Sequence, residues 1–149
     1  MTSLQGTKDN GLVFNSPKKL VVDCYADEDF VGLWVNENPQ DPICARSGTG
    51  FVLTFSNFTL LWVQKLQTEI ALYTLHSEYV ALYHSVRVLL PLKILIKEVI
   101  DNLGLDTKKL KFVSSSNIYE ENNGATVVAT NPRMTPTSNH IAVKCYWFR

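Results

Sequence analysis

The run Leu20-Val-Val-Asp-Cys-Tyr-Ala26 is rich in β-formers and ends at Asp27, which predicts a strand delivering a carboxylate at its C-terminal end. A polar, Pro-containing loop follows at 36–42. Phe51-Val-Leu-Thr-Phe55 and Leu60-Leu-Trp-Val63 predict two further strands, with Ser56-Asn57 in the turn between them. Three successive strands without an intervening helix favour an antiparallel meander. The period then lengthens. Leu75, Tyr79, Leu82, Val86 and Leu90 fall at helical spacing, with Thr74 as the N-cap. Pro91 is expected to break or kink that helix, or to start a second one carrying Leu92, Leu95, Ile96, Val99 and Ile100 to a stop at Gly104. Leu110-Lys-Phe-Val113 predicts a short strand, with Glu120 and Glu121 beyond it. Asn123 to Thr130 predicts a helix despite its β-branched residues. Arg133 to Asn139 is a Pro-bearing loop, and His140 to Phe148 starts a further helix or strand. The order βββ-α-β-α predicts an α/β chain with a mixed sheet flanked by helices.

Composition narrows this picture modestly. A chain of 149 residues with 46% hydrophobic content suits one domain with an ample core. Its 14 basic and 14 acidic residues cancel, which argues against a free-standing nucleic-acid binder. The charge is nevertheless uneven: residues 1–40 carry three lysines against six acids, and residues 103–149 carry six basic residues against three acids. Such a gradient would suit a metal pocket beside a phosphate track, although ordinary solvated faces account for it more simply. Three cysteines without C-x-x-C spacing indicate neither a disulfide framework nor a zinc site. The N-terminus lacks the apolar core of a signal peptide, and polar residues interrupt both 47–64 and 79–100. The expectation is an intracellular protein, cytoplasmic or nuclear, not secreted and with no membrane partner.

Candidate chemistry lies in Asp27, Glu78 and Glu121, each at the tip of an expected element. Strand ends and helix starts can gather carboxylates that are distant in sequence. Such oxygen ligands suit hard divalent cations, and two-metal phosphodiester cleavage holds its ions roughly 3.5–4 Å apart. Spacing alone is a weak signal, because any α/β domain has acids at strand ends.

The flanking residues add more. Seven blocks follow in order: Gly6-Thr-Lys-Asp-Asn-Gly-Leu12, Asp27-Glu-Asp-Phe-Val-Gly32, Arg46-Ser-Gly-Thr-Gly-Phe51, Trp62-Val-Gln-Lys-Leu-Gln67, Ala71-Leu72 running on to Glu78-Tyr-Val-Ala81, Glu121-Asn-Asn-Gly-Ala125, and Asn139-His-Ile141. Together they resemble the ribonuclease H domain at the end of copia-type retrotransposon polyproteins, over nearly the whole chain. The resemblance implies a ribonuclease H-like mixed sheet and metal-dependent cleavage of RNA in RNA–DNA hybrids. Asp27, Glu78 and Glu121 would then be the catalytic, metal-holding residues of a two-metal Mg²⁺ or Mn²⁺ site. It also implies that residues 1–18 are a connector from a preceding reverse transcriptase, a further expected partner, and that 19–149 form the domain. A fourth family carboxylate would lie beyond Arg149. The domain is therefore expected to be C-terminally truncated, lacking its last strand and helix, with an open sheet edge that invites self-association.

Departures from the family pattern bear on activity. Glu121 stands where the family has Asp, and the extra methylene moves the carboxylate by about 1.5 Å. His76 replaces a Glu, Tyr73 a Ser, Asn139 a Lys, Ala142 an Asp and Tyr146 a His. These imply activity that is low or lost, or a catalytically dead remnant acting at most as a weak nucleic-acid-binding or interaction module. Glu120 is a substitute ligand only if local geometry allows, since neighbours in an extended segment point to opposite faces. His76 and His84 lie about two helical turns apart without an H-E-x-x-H motif, so surface or packing roles are expected. Core packing is likewise the expected role of Trp34, Trp62 and Trp147, ahead of base stacking.

Overall fold

The structure, a computed structural model, describes residues 19–32, 40–56, 58–106, 109 and 115–130. Strands β1 (Val22–Asp29), β2 (Gly48–Phe55) and β3 (Phe58–Leu66) form the expected antiparallel meander. A short β4 (Ile118–Tyr119) joins the other side of β1 in parallel, so the mixed sheet has the order β3-β2-β1-β4 and does not close. Among the described residues two α-helices accompany it, α1 (Thr74–Asn102) and α2 (Asn123–Thr130), besides a short 3-10 turn at Pro42–Ala45. β2 and β3 run further than their apolar cores suggested, because backbone pairing continues through polar ends, whereas β1 starts two residues later than expected, at Val22 instead of Leu20. At its other end β1 runs past Asp27 to Asp29.

The core forms between α1 and one face of the sheet. Val22, Cys24 and Ala26 of β1 and Phe51 and Leu53 of β2 pack with Leu82 and Leu89 of α1. Alternation along β2 follows the same logic: Thr49, Phe51 and Leu53 are buried, and the residues between them are not. Gln67, at the end of β3, ties the layers together. Its buried Nε2 donates to Thr49 Oγ1 at 3.1 Å and to the Ser77 carbonyl at 2.9 Å.

Three expectations need correction. Helix α1 is continuous through Pro91, which neither ends it nor starts a second helix. Pro91 is exposed, so the carbonyl of Arg87 that loses its usual amide partner can turn to water. Thr74 is the first residue of the helix and not its cap. Tyr73 occupies the cap position with extended backbone and makes no side-chain capping bond. Trp62, expected in the core, is 72% exposed on the sheet face away from α1. Among the described residues its strand β3 pairs with β2 alone.

The stop at Gly104 stands as expected. That residue has φ +64°, its amide donates to Asp101 at 3.0 Å, and Leu105 donates to Ile100 at 3.2 Å. This is the glycine-terminated turn in which backbone amides satisfy the last helical carbonyls. By length and composition, α1 is apolar enough to cross a membrane. Here it supplies Leu82 and Leu89 to the core.

Strand β4 appears where the hydrophobic pattern carries no strand signal. What recruits it is a contact 94 residues apart in sequence: Asp23 Oδ1 accepts from the Asn117 amide at 3.2 Å and from its Nδ2 at 2.9 Å. The Cys24 amide in turn donates to the Asn117 carbonyl at 2.9 Å. Helix α2 matches its expected span and packs on α1 through Val128 and Ala129 against buried Tyr79. The expected connector 1–18, the strand at 110–113, the loop 133–139, the element at 140–148, Trp34 and Trp147 lie outside the described residues.

Candidate functional site

Strand parity decides which acids meet. Along β1, Cys24 and Ala26 are buried toward α1 and half-buried Glu28 continues their row, while Tyr25, Asp27 and Asp29 form the exposed row. Glu28 thereby comes beside Ser77 and Glu78 in the first turns of α1. Glu120 reaches the same place from the end of β4, next to Glu78. Its position is fixed by the start of α2. Glu120 Oε1 accepts from the Asn122 amide at 3.1 Å, and Asn122 Oδ1 caps the helix by accepting from the Ala125 amide at 3.1 Å.

The electrostatics record this crowding. Glu78 is pushed up to about 8, first by burial, then by the charges of Glu120 and Glu28, by a hydrogen bond with Glu120, and by the charge of Asp27. Burial also raises Glu28; the nearby Ser77 hydroxyl opposes it, and the charges of Asp29, Asp27 and Glu120 add to it. Glu120 is raised by burial too, against the Asn122 amide, which favours its charged form. The Oε2 atoms of Glu28, Glu78 and Glu120 are all shut from solvent without a hydrogen-bond partner. Carboxylate oxygens of this kind are the donors hard divalent cations take. The chemistry of the set therefore fits such ions, although among the described residues no three acidic, histidine or cysteine groups are spaced to hold one as they stand.

The three residues expected from the sequence are distributed as follows. Glu78 belongs to the buried cluster. Asp27 is close enough for its charge to act on Glu28, Glu78 and Glu120, and its Oδ1 accepts from the Glu28 amide at 2.9 Å. Glu121 gives Glu120 a backbone amide. Asp27 and Glu121 both line an open groove of about 880 Å³, where the Tyr25 and Tyr119 rings stack with centroids 4.6 Å apart. Glu28 was missing from the expected set, although the parity of β1 carried the signal: it lies an even number of residues from buried Cys24 and Ala26. His76 is buried, with Nε2 3.9 Å from Glu69 Oε2, in keeping with a packing role.

Comparison with known proteins adds a similarity. Over 98% of its length the chain is 28% identical, across 146 residues, to the Retrovirus-related Pol polyprotein from transposon TNT 1-94 of Nicotiana tabacum. The chain is similar to part of a retrotransposon polyprotein. It spans about 10% of that relative's length, and the similarity supports a retroelement-derived domain. No family model matches the chain, and no solved structure matches it.

The acid cluster should make the stability of the chain depend on pH. Glu78 binds its proton more tightly when folded, about 8 against the ordinary 4.5. Its stabilising contribution is thus complete below about pH 4.5 and is lost as pH rises through 8. Melting at pH 9 should fall below that at pH 6, and Glu78→Gln should flatten the slope. Discounted for solvent screening at a half-buried site, the difference is about 1 kcal/mol, or ~3 °C in Tm. A Glu78→Gln chain with an unchanged slope between pH 6 and 9 would show that this carboxyl is not responsible.

Proposed function

We propose that the chain is a ribonuclease H-like domain of copia-type retrotransposon descent. Its parent reaction is metal-dependent cleavage of RNA in RNA–DNA hybrids, and its own turnover is low. The observation that carries this reading is the meeting of Glu28, Glu78 and Glu120, with Asp27 in electrostatic reach, where β1, β4 and the start of α1 come together. The whole-length similarity to a Pol polyprotein supports it.

Glu78, Asp27 and the acids at 120–121 would hold Mg²⁺ or Mn²⁺. Bound there, a pair of such ions would activate water and stabilise the leaving oxygen. The chain's own part is to fix the carboxylates. Gln67 holds the first turn of α1 to the sheet, the Asn122 amide orients Glu120, and the Glu28 amide orients Asp27. A second reading, a catalytically dead remnant, is favoured by the crowding of Glu78 and Glu120, whose burial raises both carboxyls. A carboxyl that keeps its proton is a poor ligand for a cation.

A labelled RNA–DNA hybrid incubated with purified chain separates the two readings. Slow cleavage is expected, faster with Mn²⁺ than with Mg²⁺, because Mg²⁺ demands a nearly ideal octahedron. It should disappear on Glu78→Ala. No cleavage with either ion, together with no heat of Mn²⁺ binding, would favour the remnant. Turnover like that of an intact nuclease would refute the claim of a low rate.

A further inference from the structure

Among the described residues β3 is an outer strand of the sheet, and little in its sequence blunts that edge. It runs nine residues, Phe58–Leu66, as Phe-Thr-Leu-Leu-Trp-Val-Gln-Lys-Leu. Among the described residues it pairs on one side only, with β2. Exposed edges are usually blunted by proline, by several charges or by shortness. β3 has no proline, a single charge at Lys65, and exposed Leu60, Leu61, Trp62 and Leu66.

We propose that two copies of this chain associate through β3, antiparallel about a two-fold axis at Trp62. The register follows from the sequence. Trp62 is the midpoint of the strand, so this axis gives the longest overlap of any symmetric pairing. It sets Leu61 opposite Val63, Leu60 opposite Gln64 and Thr59 opposite Lys65. The lone cation thus meets a hydroxyl and never its own image, and an apolar pair flanks the axis on the α1 side. Opposed residues come within about 4.5–5.5 Å at Cβ, where aromatic and β-branched pairs contribute most to sheet stability. Like-charged pairs would oppose the seam, and this register contains none. An isologous contact of this kind closes at two copies.

The two-fold axis is perpendicular to the sheet, so it keeps both α1 helices on one face and both grooves on the other. Trp62 itself lines the groove. The dimer therefore joins two grooves, each with its stacked Tyr25–Tyr119 pair, into one surface across the paired tryptophans.

Sedimentation equilibrium of the full chain tests this, since a dimer has twice the 16.8 kDa chain mass. The wild-type chain should show a concentration-dependent monomer–dimer equilibrium. Trp62→Lys and Trp62→Glu each place like charges face to face and should weaken association at least tenfold. An equimolar mixture of the two should recover the dimer, which also shows that each variant folds. A wild-type chain that stays monomeric at several hundred micromolar overturns the proposal. So does a Trp62→Lys chain that dimerises as well as the wild type, or a mixture that remains monomeric. Oxidised Trp62→Cys should yield a covalent dimer absent from the wild type, and its failure to do so would overturn the register.

Discussion

Replacing Glu121 by Asp should raise cleavage of an RNA–DNA hybrid in Mn²⁺ by on the order of a hundredfold. The extra methylene of Glu moves a carboxylate by about 1.5 Å, and a misplacement of about 1 Å among reacting groups can cost about a hundredfold in rate. Shortening the side chain removes that misplacement while keeping charge and donor type. The arrangement of the site makes the experiment more discriminating, because Glu120, not Glu121, is the acid whose charge acts on Glu78. A Glu120→Gln chain should be measured alongside. If Glu121→Asp gains nothing and Glu120→Gln loses the residual rate, the working carboxylate at the end of β4 is Glu120. If Glu121→Asp gains as expected, Glu120 serves mainly to crowd Glu78.

Leu53→Ala should cost about 3 kcal/mol, within the range measured for large-to-small changes in packed cores. Leu53 is fully buried in the middle of β2, paired with Cys24 of β1 on one side and Leu61 of β3 on the other, and belongs to the cluster with Leu82 and Leu89. Rigid neighbours on three sides leave little room to collapse into the cavity. Net stability of a domain is about 5–15 kcal/mol, so the loss should shift the urea midpoint severalfold more than Leu61→Ala on the exposed edge strand. A cost below about 1 kcal/mol would mean that β2 does not centre the core. The change should also loosen the acid cluster indirectly, since β2 holds β1, and β1 presents Glu28.

Local pattern made much of this chain legible in advance. The strands at the ends of the β1–β3 meander, the helical spacing from Leu75, the stop at Gly104 and the helix at Asn123–Thr130 are consequences of side-chain period and turn chemistry. These act over a few residues and can be read along a line. Pro91 misled because a rule about isolated helices ignores how readily an exposed carbonyl is hydrated. Trp62 misled because burial depends on what covers a strand, and among the described residues β3 has a neighbour on one side only.

The sequence alone determined which acids this chain carries, and that Asp27, Glu78 and Glu121 stand near the ends of elements. Only the tertiary structure decided which carboxylates share a space. That outcome turns on parity along β1, on the parallel pairing of β1 with β4, and on the bond between Asp23 and Asn117, 94 residues apart, that sets β4 in place. In a strand a step of one residue reverses the face, so Glu28 of β1 shares the buried row that reaches Glu78 while Asp27 lies in the exposed row, and Glu120 joins Glu78 from just beyond β4. A motif specifies residue types to within a position or two; the side of a sheet on which each falls is fixed by long-range pairing.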